Sequence, residues 1–333
     1  MDISIIIPSH NRAGLVAQAV RSALAQAYPD DRYEIIVVDN ASSDATPQMV
    51  RTLQQSTGSR LRYVREERLG LHHARHAGAR LARGQILLFT DDDATFDPGW
   101  LQAYGTAFAQ NAEMMAAGGP VRPIWEMPPP QWLVDFIGDA RLFGPLSLMD
   151  PHDEFRLGPE GFFWGVNMAI RRDVLFEVGG FNPESFGDVW LGDGESGLNR
   201  KLWKRKMLIG YVPGAIVYHH IPARRMTVDY FRHRMANEGA SEVYASFHKS
   251  APDRVQLAKD IASVVIRNSK YWAGALLFRG QTDARSLRVQ LRAARTQSQV
   301  RYMVGLLLDN DFRRFVLRDD WLNETCASPS SLC

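Results

Sequence analysis

Three consecutive aspartates, Asp91, Asp92 and Asp93, follow an apolar run at 86–90 that is typical of a buried strand. Glycine before the run and an Asp-Pro-Gly turn after it indicate that this strand ends in a loop. Three adjacent carboxylates repel one another, so a folded protein needs a counter-charge there. Mg²⁺ or Mn²⁺ would supply it, because these ions take oxygen ligands and bridge carboxylates to phosphates. A solvated acidic turn is the alternative interpretation.

Polar residues also follow two earlier predicted strands. The segment 9–12 follows the strand at 3–7, and 39–40 follow the strand at 33–38. Strands and helices alternate through the first third of the chain, which predicts a parallel sheet covered by helices. Ligands of such sheets bind outside the carboxyl ends of the strands. We therefore expect these two clusters and the aspartates at 91–93 to converge on one crevice.

Two charged residues near this crevice have competing interpretations. Asp39 could cap the following helix, or it could accept hydrogen bonds from a base or a ribose hydroxyl. Its alignment with the other clusters favours the ligand. Arg75 could pair with Glu66 or Glu67, or its guanidinium could lie beside a diphosphate.

A second acidic cluster and a histidine pair occur later in the chain. Asp193 and Glu195 lie among glycines at a predicted helix start, where they could complement the helix dipole or supply a general base. His219 and His220 end a predicted strand at 211–218. Because side chains alternate along a strand, only one of them can face the crevice. A neutral imidazole there could bind a metal, although a lone histidine is more often structural.

The composition excludes several classes of protein. The 333 residues are 45% hydrophobic and 23% charged, with a net charge of +2, as in an ordinary globular protein with no general affinity for nucleic acid. The two cysteines, Cys326 and Cys333, cannot build a disulfide framework and are compatible with a reducing cytoplasm. We see no signal peptide and no stretch pure enough to span a membrane, so we expect a cytoplasmic protein, soluble or peripheral.

An ordered set of motifs resembles glycosyltransferase family 2, the inverting enzymes with the GT-A fold. Any one of these motifs is weak, but the ordered set is specific and covers roughly the first two thirds of the chain. The matching segments are 5–12, 37–44, 70 with 74–78, 84 with 89–93, 165–172, 179–181 and 192–198.

The resemblance implies a donor site and a metal site. The donor would be a nucleoside-diphosphate sugar, with a UDP-sugar favoured, and Asp39 would contact its base. Its binding residues would be Pro8, Ser9, Asn11, Arg12, Asp39, Arg75, Asp91 and Asp92. In the Asp-x-Asp motif, Asp93 would bind Mn²⁺ or Mg²⁺ on the diphosphate, with Asp91 and His219 as further candidate ligands.

The resemblance also implies a catalytic base and an acceptor site. The family's base lies three positions before a leucine, which is Glu195 here. The usual Glu-Asp pair is replaced, so Asp193 remains the alternative base. The acceptor would be a hydroxyl of a glycan or a lipid-linked glycan. It would enter near Trp164, Gly165 and Asn167. Sugar rings stack on tryptophan faces, although such side chains are more often part of a core.

The expected fold is an α/β GT-A domain, with a Rossmann-like and mostly parallel sheet, followed by a helical C-terminal extension. The GT-A domain would cover 1–222, with a nucleotide-binding half at about 1–100 and an acceptor half at about 101–222. The helical extension would cover 223–325, and a tail 326–333. The extension could simply pack on the GT-A domain. Its basic amphipathic helices could also lie on the inner face of the cell membrane.

Three rival functions are weaker. Nucleotidyltransferases and dehydrogenases carry a glycine-rich loop after the first strand, and the segment 8–12 has none. A catalytically silent scaffold subunit of a glycan-assembly complex is supported only by the altered acidic pair. We therefore expect an inverting, metal-dependent glycosyl transfer.

Overall fold

The computed structural model describes residues 1–186, 189–190 and 194–323. The strands are β1 (Ile3–Ser9), β2 (Tyr33–Asp39), β3 (Leu61–Arg65), β4 (Ile86–Phe89), β5 (Ala94–Phe96), β6 (Met114–Gly118), β7 (Val121–Trp125), β8 (Leu142–Phe143), β9 (Leu148–Met149), β10 (Arg156–Gly158), β11 (Met168–Arg171), β12 (Ser185–Phe186), β13 (Val189–Trp190), β14 (Leu208–Tyr211) and β15 (Val217–Ile221). The helices are α1 (Ala13–Leu24), α2 (Thr46–Thr57), α3 (Leu71–Leu81), α4 (Trp100–Gln110), α5 (Gln131–Ile137), α6 (Arg172–Glu177), α7 (Gly194–Lys204), α8 (Val228–Ser250), α9 (Arg254–Leu277), α10 (Ala284–Leu308) and α11 (Asn310–Val316). Single 3₁₀ turns lie at Gly58–Arg60, Gly144–Leu146 and Ala223–Arg225.

The central sheet has eight strands in the order β10-β14-β6-β11-β4-β1-β2-β3. The strands β1 to β4 are mutually parallel, whereas β11 runs antiparallel to both β4 and β6. The mostly parallel sheet predicted from the alternating pattern is therefore confirmed. Every residue of β1 and β2 is buried, as expected for strands covered by helices on both faces.

Side-chain alternation divides the interior into two cores. Ile5 and Ile7 of β1 pack with α1 and α4 on one face, while Ile6 packs with α3, α6 and α7 on the other. The carboxyl ends of β1, β2 and β4 consequently lie at one edge between these helix layers. This edge carries the polar clusters that follow the strands.

A second sheet, in the order β5-β15-β7-β9-β8, adjoins this edge. The predicted strand at 211–218 is wrong in its limits, because the Pro-Gly step at 213–214 separates β14 from β15. His219 therefore lies inside β15, opposite Ala94 of β5.

The C-terminal helices are attached to the α/β region through a shared core. Helix α10 packs against both α8 and α9. Phe231 of α8 is fully buried beside Ile221 of β15 and Leu146 of the 3₁₀ turn between β8 and β9. Near its end the described chain returns to the α/β region, where the Trp321 backbone N–H donates to the Gly179 carbonyl at 2.9 Å. The tail at 326–333 lies outside the described residues, and the boundary at 223 remains a prediction.

Candidate active site

A cavity of about 490 Å³ opens at the carboxyl ends of β1 and β4. Most of the predicted site residues line it, including one of the three predicted acceptor residues, Gly165. They are Pro8, Ser9, Arg12, Arg75, Asp91, Asp92, Asp93, Gly165, Glu195 and His219. The convergence expected from the strand order therefore occurs for all three segments, because Asn40, which follows β2, lines the cavity as well.

Asp92 points into the structure and fixes the start of the acidic loop. It accepts hydrogen bonds from Ser9 Oγ at 2.7 Å and from Arg12 Nη1 at 2.8 Å. Burial raises the pKa of Asp92 to about 6, while Arg12 and Ser9 act in the opposite direction. Asp92 thus ties the segment after β1 to the segment after β4, and it borders the cavity together with Asp91 and Asp93.

Asp93 forms a compact cluster with His219 and Arg225. Its Oδ2 accepts from Arg225 Nη2 at 3.0 Å, and its Oδ1 lies 3.5 Å from His219 Nε2. Burial alone would raise the pKa of Asp93, but the contacts with His219, Arg225 and Arg12 lower it. Arg225 Nη1 also donates to His219 Nε2 at 2.8 Å, and His219 Nδ1 contacts the Leu146 carbonyl at 3.0 Å. The Nε2 atom of His219 therefore faces both Asp93 and Arg225.

The ligand chemistry of this cluster fits a divalent metal. A carboxylate and an imidazole are oxygen and nitrogen ligands suited to Mn²⁺, and here the guanidinium of Arg225 bridges the two side chains. Within the described ranges, no group of three or more His, Cys, Asp or Glu side chains is arranged as a metal site. Asp93 and His219 would be the protein ligands of such an ion. Asp91 lies beside them but pairs with Arg75.

Arg75 is the buried cation on the other side of the cavity. It is 1% exposed, and Glu66 and Glu67 pair instead with Arg68 and Arg65. Its guanidinium lies 3.5 Å from Asp91 Oδ1 and 3.7 Å from Glu195 Oε2. These are loose contacts. In the described part of the chain, Arg75 Nε and Nη1 have no hydrogen-bond partner. A buried guanidinium with unused donors indicates a polar ligand in this cavity.

Glu195 lies in the first turn of α7 and faces Arg75 across Gly165. A Cβ atom on Gly165 would lie 2.5 Å from Arg75 Nη2 and 3.2 Å from Glu195 Oε2. Gly165 therefore permits the approach of the two charges. Glu184 lines the same side of the cavity, and burial together with the Glu195 carboxylate raises its pKa to about 7. Asp193 lies outside the described residues.

A glycosyl transferase family 2 model matches residues 4–179, just over half of the chain. The chain belongs to glycosyl transferase family 2. It is 30% identical over 210 residues to validoxylamine A glucosyltransferase of Streptomyces hygroscopicus subsp. jinggangensis, covering 57% of this chain. That match covers 49% of the relative, so the chain spans about half the length of the curated relatives it matches.

Solved structures of low sequence identity share the fold. The mannosyltransferase PcManGT of Pyrobaculum calidifontis, in complex with GDP-Man and Mn²⁺, matches with a TM-score of 0.58 at 21% identity. That match covers 92% of this chain and 87% of that chain. TarS 1–349 of S. aureus, in complex with UDP-GlcNAc, matches with a TM-score of 0.52 at 15% identity, covering 92% of each chain. The GT-A fold predicted from the motifs is thus confirmed.

Two family 2 motif residues stabilise the loop beside the cavity. Asp39 is fully buried and accepts from Tyr63 Oη at 2.7 Å, Arg65 Nη1 at 3.0 Å and the Ser42 backbone N–H at 2.9 Å. Asn11 has a φ of 53°, and its Oδ1 accepts from the Ser43 backbone N–H at 2.7 Å. Asp39 and Asn11 therefore hold the loop that follows β2, and neither lines the cavity.

Two of the three residues predicted to lie near the acceptor, Trp164 and Asn167, do not line the cavity. Asn167 is fully buried, and its amide group makes four hydrogen bonds within the core, to Trp100, Tyr104, Pro120 and Ala215. It has no group left for an acceptor, so we assign it a structural role. Trp164 packs edge-on against Phe162 and does not line the cavity. An asparagine in a strand-like segment carries no local signal that separates these roles.

Four titratable residues that line the cavity were not predicted from the sequence. They are Glu184, Arg225, Tyr230 and Arg234. The last three come from the C-terminal region, where arginines are frequent and the pattern does not show which of them faces the site. The predicted alternation at 219–220 does hold, because His219 lines the cavity and His220 contacts Thr95 instead.

Proposed function

We propose that this family 2 chain is an inverting, metal-dependent glycosyltransferase. It would move a sugar from a nucleoside-diphosphate sugar, with a UDP-sugar favoured, to a hydroxyl of a glycan or lipid-linked acceptor. The main support is one cavity bordered by a carboxylate–imidazole pair on one side and by Glu195 beside a buried guanidinium on the other.

The donor would bind at the carboxyl ends of β1 and β4. Ser9 and Arg12 border the cavity there, and Arg12 offers a cation near the acidic loop. Asp39 and Asn11 would act on the nucleotide through the loop that they hold, with Asp39 nearest to the base. A metal ion at Asp93 and His219 would neutralise charge on the diphosphate. Arg225 occupies the space between these two ligands and would have to move aside.

Glu195 would be the catalytic base. Its carboxylate takes the proton of the acceptor hydroxyl while that oxygen attacks the anomeric carbon from the face opposite the diphosphate. The bond from the anomeric carbon to the diphosphate oxygen breaks, and the nucleoside diphosphate leaves with that electron pair. Arg75 lies 3.7 Å from Glu195 and borders this carboxylate in the cavity. One displacement inverts the anomeric centre.

Glu184 would assist on the acceptor side. Its raised pKa means that the carboxyl group carries a proton for part of the time at neutral pH. It can therefore donate or accept a hydrogen bond with a sugar hydroxyl next to the base.

Nucleotide titration tests the donor site directly. Calorimetry with UDP, GDP, TDP and CDP, each with Mn²⁺ and again with EDTA, should show metal-dependent binding of one nucleotide. Asp93→Asn should abolish that metal-dependent binding, because it removes one of the two candidate protein ligands. The exposed Asp135→Asn on α5 is the matched control and should bind as the wild type does.

Two results would contradict the proposal. Failure of a folded protein to bind any of these nucleotides would favour the silent scaffold. Nucleotide binding that survives both EDTA and Asp93→Asn would exclude the metal site at Asp93.

A further inference from the structure

The outer side of α9 exposes large apolar side chains. Val255 is 65% exposed, Ile266 is 76% exposed, and Leu276 and Leu277 are 79% and 78% exposed. Isolated exposed apolar residues are common on proteins, but here several lie on one helix. This concentration makes α9 a candidate docking surface.

The exposed residues follow helical spacing and include two lysines. At 100° per residue they fall on one stripe, which we call the outer face of α9. It comprises Val255, Lys259, Ala262, Ile266, Lys270 and Leu277, all of which are exposed. No acidic residue belongs to this stripe, so the outer face is apolar and positively charged.

Contacts on the opposite side fix the rotation of α9. Trp272 Nε1 donates to Thr296 Oγ1 of α10 at 2.8 Å, and Arg292 Nε donates to Asn268 Oδ1 at 3.1 Å. Leu257 is buried in the core between the helices. These contacts hold α9 against α10, and the outer face cannot turn inward without breaking them.

We infer that the outer face of α9 docks on an anionic membrane surface, with the helix lying parallel to that surface. The 24-residue helix is about 36 Å long, so its apolar side chains can enter the headgroup boundary along several turns. Lys259 and Lys270 extend from the same stripe and reach lipid phosphates. No helix in the described part of the chain is long and apolar enough to cross a membrane, so this contact lies on the surface.

The charge of the outer face argues against a second copy of the chain as the occupant. A two-fold dimer through this stripe would bring Lys259 and Lys270 of both copies into one apolar seam. Four ammonium groups without acidic partners oppose such packing. Anionic lipid headgroups supply the missing counter-charge, which is why the membrane is the better partner.

Vesicle co-sedimentation of the full chain tests this inference. One vesicle set contains phosphatidylcholine alone, and the other contains equal parts of phosphatidylcholine and phosphatidylglycerol. The wild type should sediment with the anionic vesicles only. The double variant Ile266→Glu with Leu277→Glu should weaken that binding by more than about tenfold, because it removes apolar area and adds negative charge. Met127→Glu, at another exposed apolar residue, is the matched control and should bind normally.

Light scattering and a lysine variant complete the test. The double variant Lys259→Glu with Lys270→Glu should also weaken binding to the anionic vesicles. This result would distinguish binding through the outer face from nonspecific hydrophobic adsorption. The inference is overturned if the wild type stays in the supernatant with both vesicle sets. It is also overturned if light scattering shows a dimer that Ile266→Glu with Leu277→Glu converts to a monomer without any vesicle binding. These results are independent of nucleotide binding, so they leave the proposed catalytic function to its own test.

Discussion

The buried charges on the two sides of the cavity are paired to different extents. On the metal side, Asp92 and Asp93 have close cationic partners in Arg12 and Arg225. On the base side, Arg75 keeps loose contacts of 3.5 and 3.7 Å, and its Nε and Nη1 have no hydrogen-bond partner among the described residues, while Glu184 has a raised pKa. Where every charge has a close partner, as on the metal side, one cation can be exchanged for another. Where the charges are incompletely paired, as on the base side, the site favours binding of hydroxyl groups and transfer of a proton.

The largest expected effect tests the base side. Glu195→Gln should lower kcat by about 10²–10⁴-fold, because an amide cannot accept the proton of the acceptor hydroxyl. Metal-dependent nucleotide binding should be unchanged, since the metal side is intact. Steady-state kinetics and calorimetry measure the two quantities.

The control for this prediction is Glu177→Gln, which removes an exposed carboxylate outside the cavity and should keep the wild-type kcat. A Glu195→Gln variant with unchanged kcat would exclude Glu195 as the base and would direct attention to Asp193.

A smaller effect tests the metal side. Arg225→Gln should tighten Mn²⁺ binding in the absence of nucleotide by about tenfold, because the guanidinium no longer competes for Asp93 and His219. Calorimetry or Mn²⁺ paramagnetic resonance measures this affinity without any activity assay. The neighbouring Arg224→Gln is the control, because no carboxylate of the described residues pairs with Arg224.

The opposite outcome is equally informative. If Arg225→Gln weakens Mn²⁺ binding, the arginine orders the two ligands and does not stand in for the ion. The contrast between a metal side with paired charges and a base side with incompletely paired charges would then not hold.

The smallest effect is a pH-dependent change in stability. The pKa of Glu184 is raised to about 7 in the folded protein, from a usual value of 4.5. The folded state therefore holds a proton that the unfolded state has released, and stability falls as the pH rises through this window. Glu184→Gln removes the ionisation, so its Tm should exceed that of the wild type above about pH 7 and match it near about pH 4.

Thermal unfolding across this pH range measures the difference. Glu160→Gln is a suitable control, since it removes an exposed carboxylate elsewhere. Equal Tm values for the wild type and Glu184→Gln above neutral pH would show that Glu184 ionises normally.

The local sequence pattern predicted the structure correctly where the order of strands and helices along the chain is enough to fix the position of a segment. The alternation of strands and helices predicted the parallel sheet, and the strand ends predicted that the segments after β1, β2 and β4 meet. It failed for Asn167, because a buried amide that satisfies four core groups and an amide that binds a ligand look the same in sequence. The limits of β14 and β15 were also missed, although the Pro-Gly step between them was visible.

The sequence by itself determined the family, the fold class and the edge of the sheet at which the polar clusters lie, because parallel strands present their carboxyl ends together. Only the tertiary structure decided which charges pair across the cavity. Asp93 and Arg225 are 132 positions apart in the chain, and they meet because β15 and the turn after it pack beside the acidic loop. Such contacts depend on how whole helices and strands pack together. This packing produces no periodic sequence pattern at the residues that form the contact.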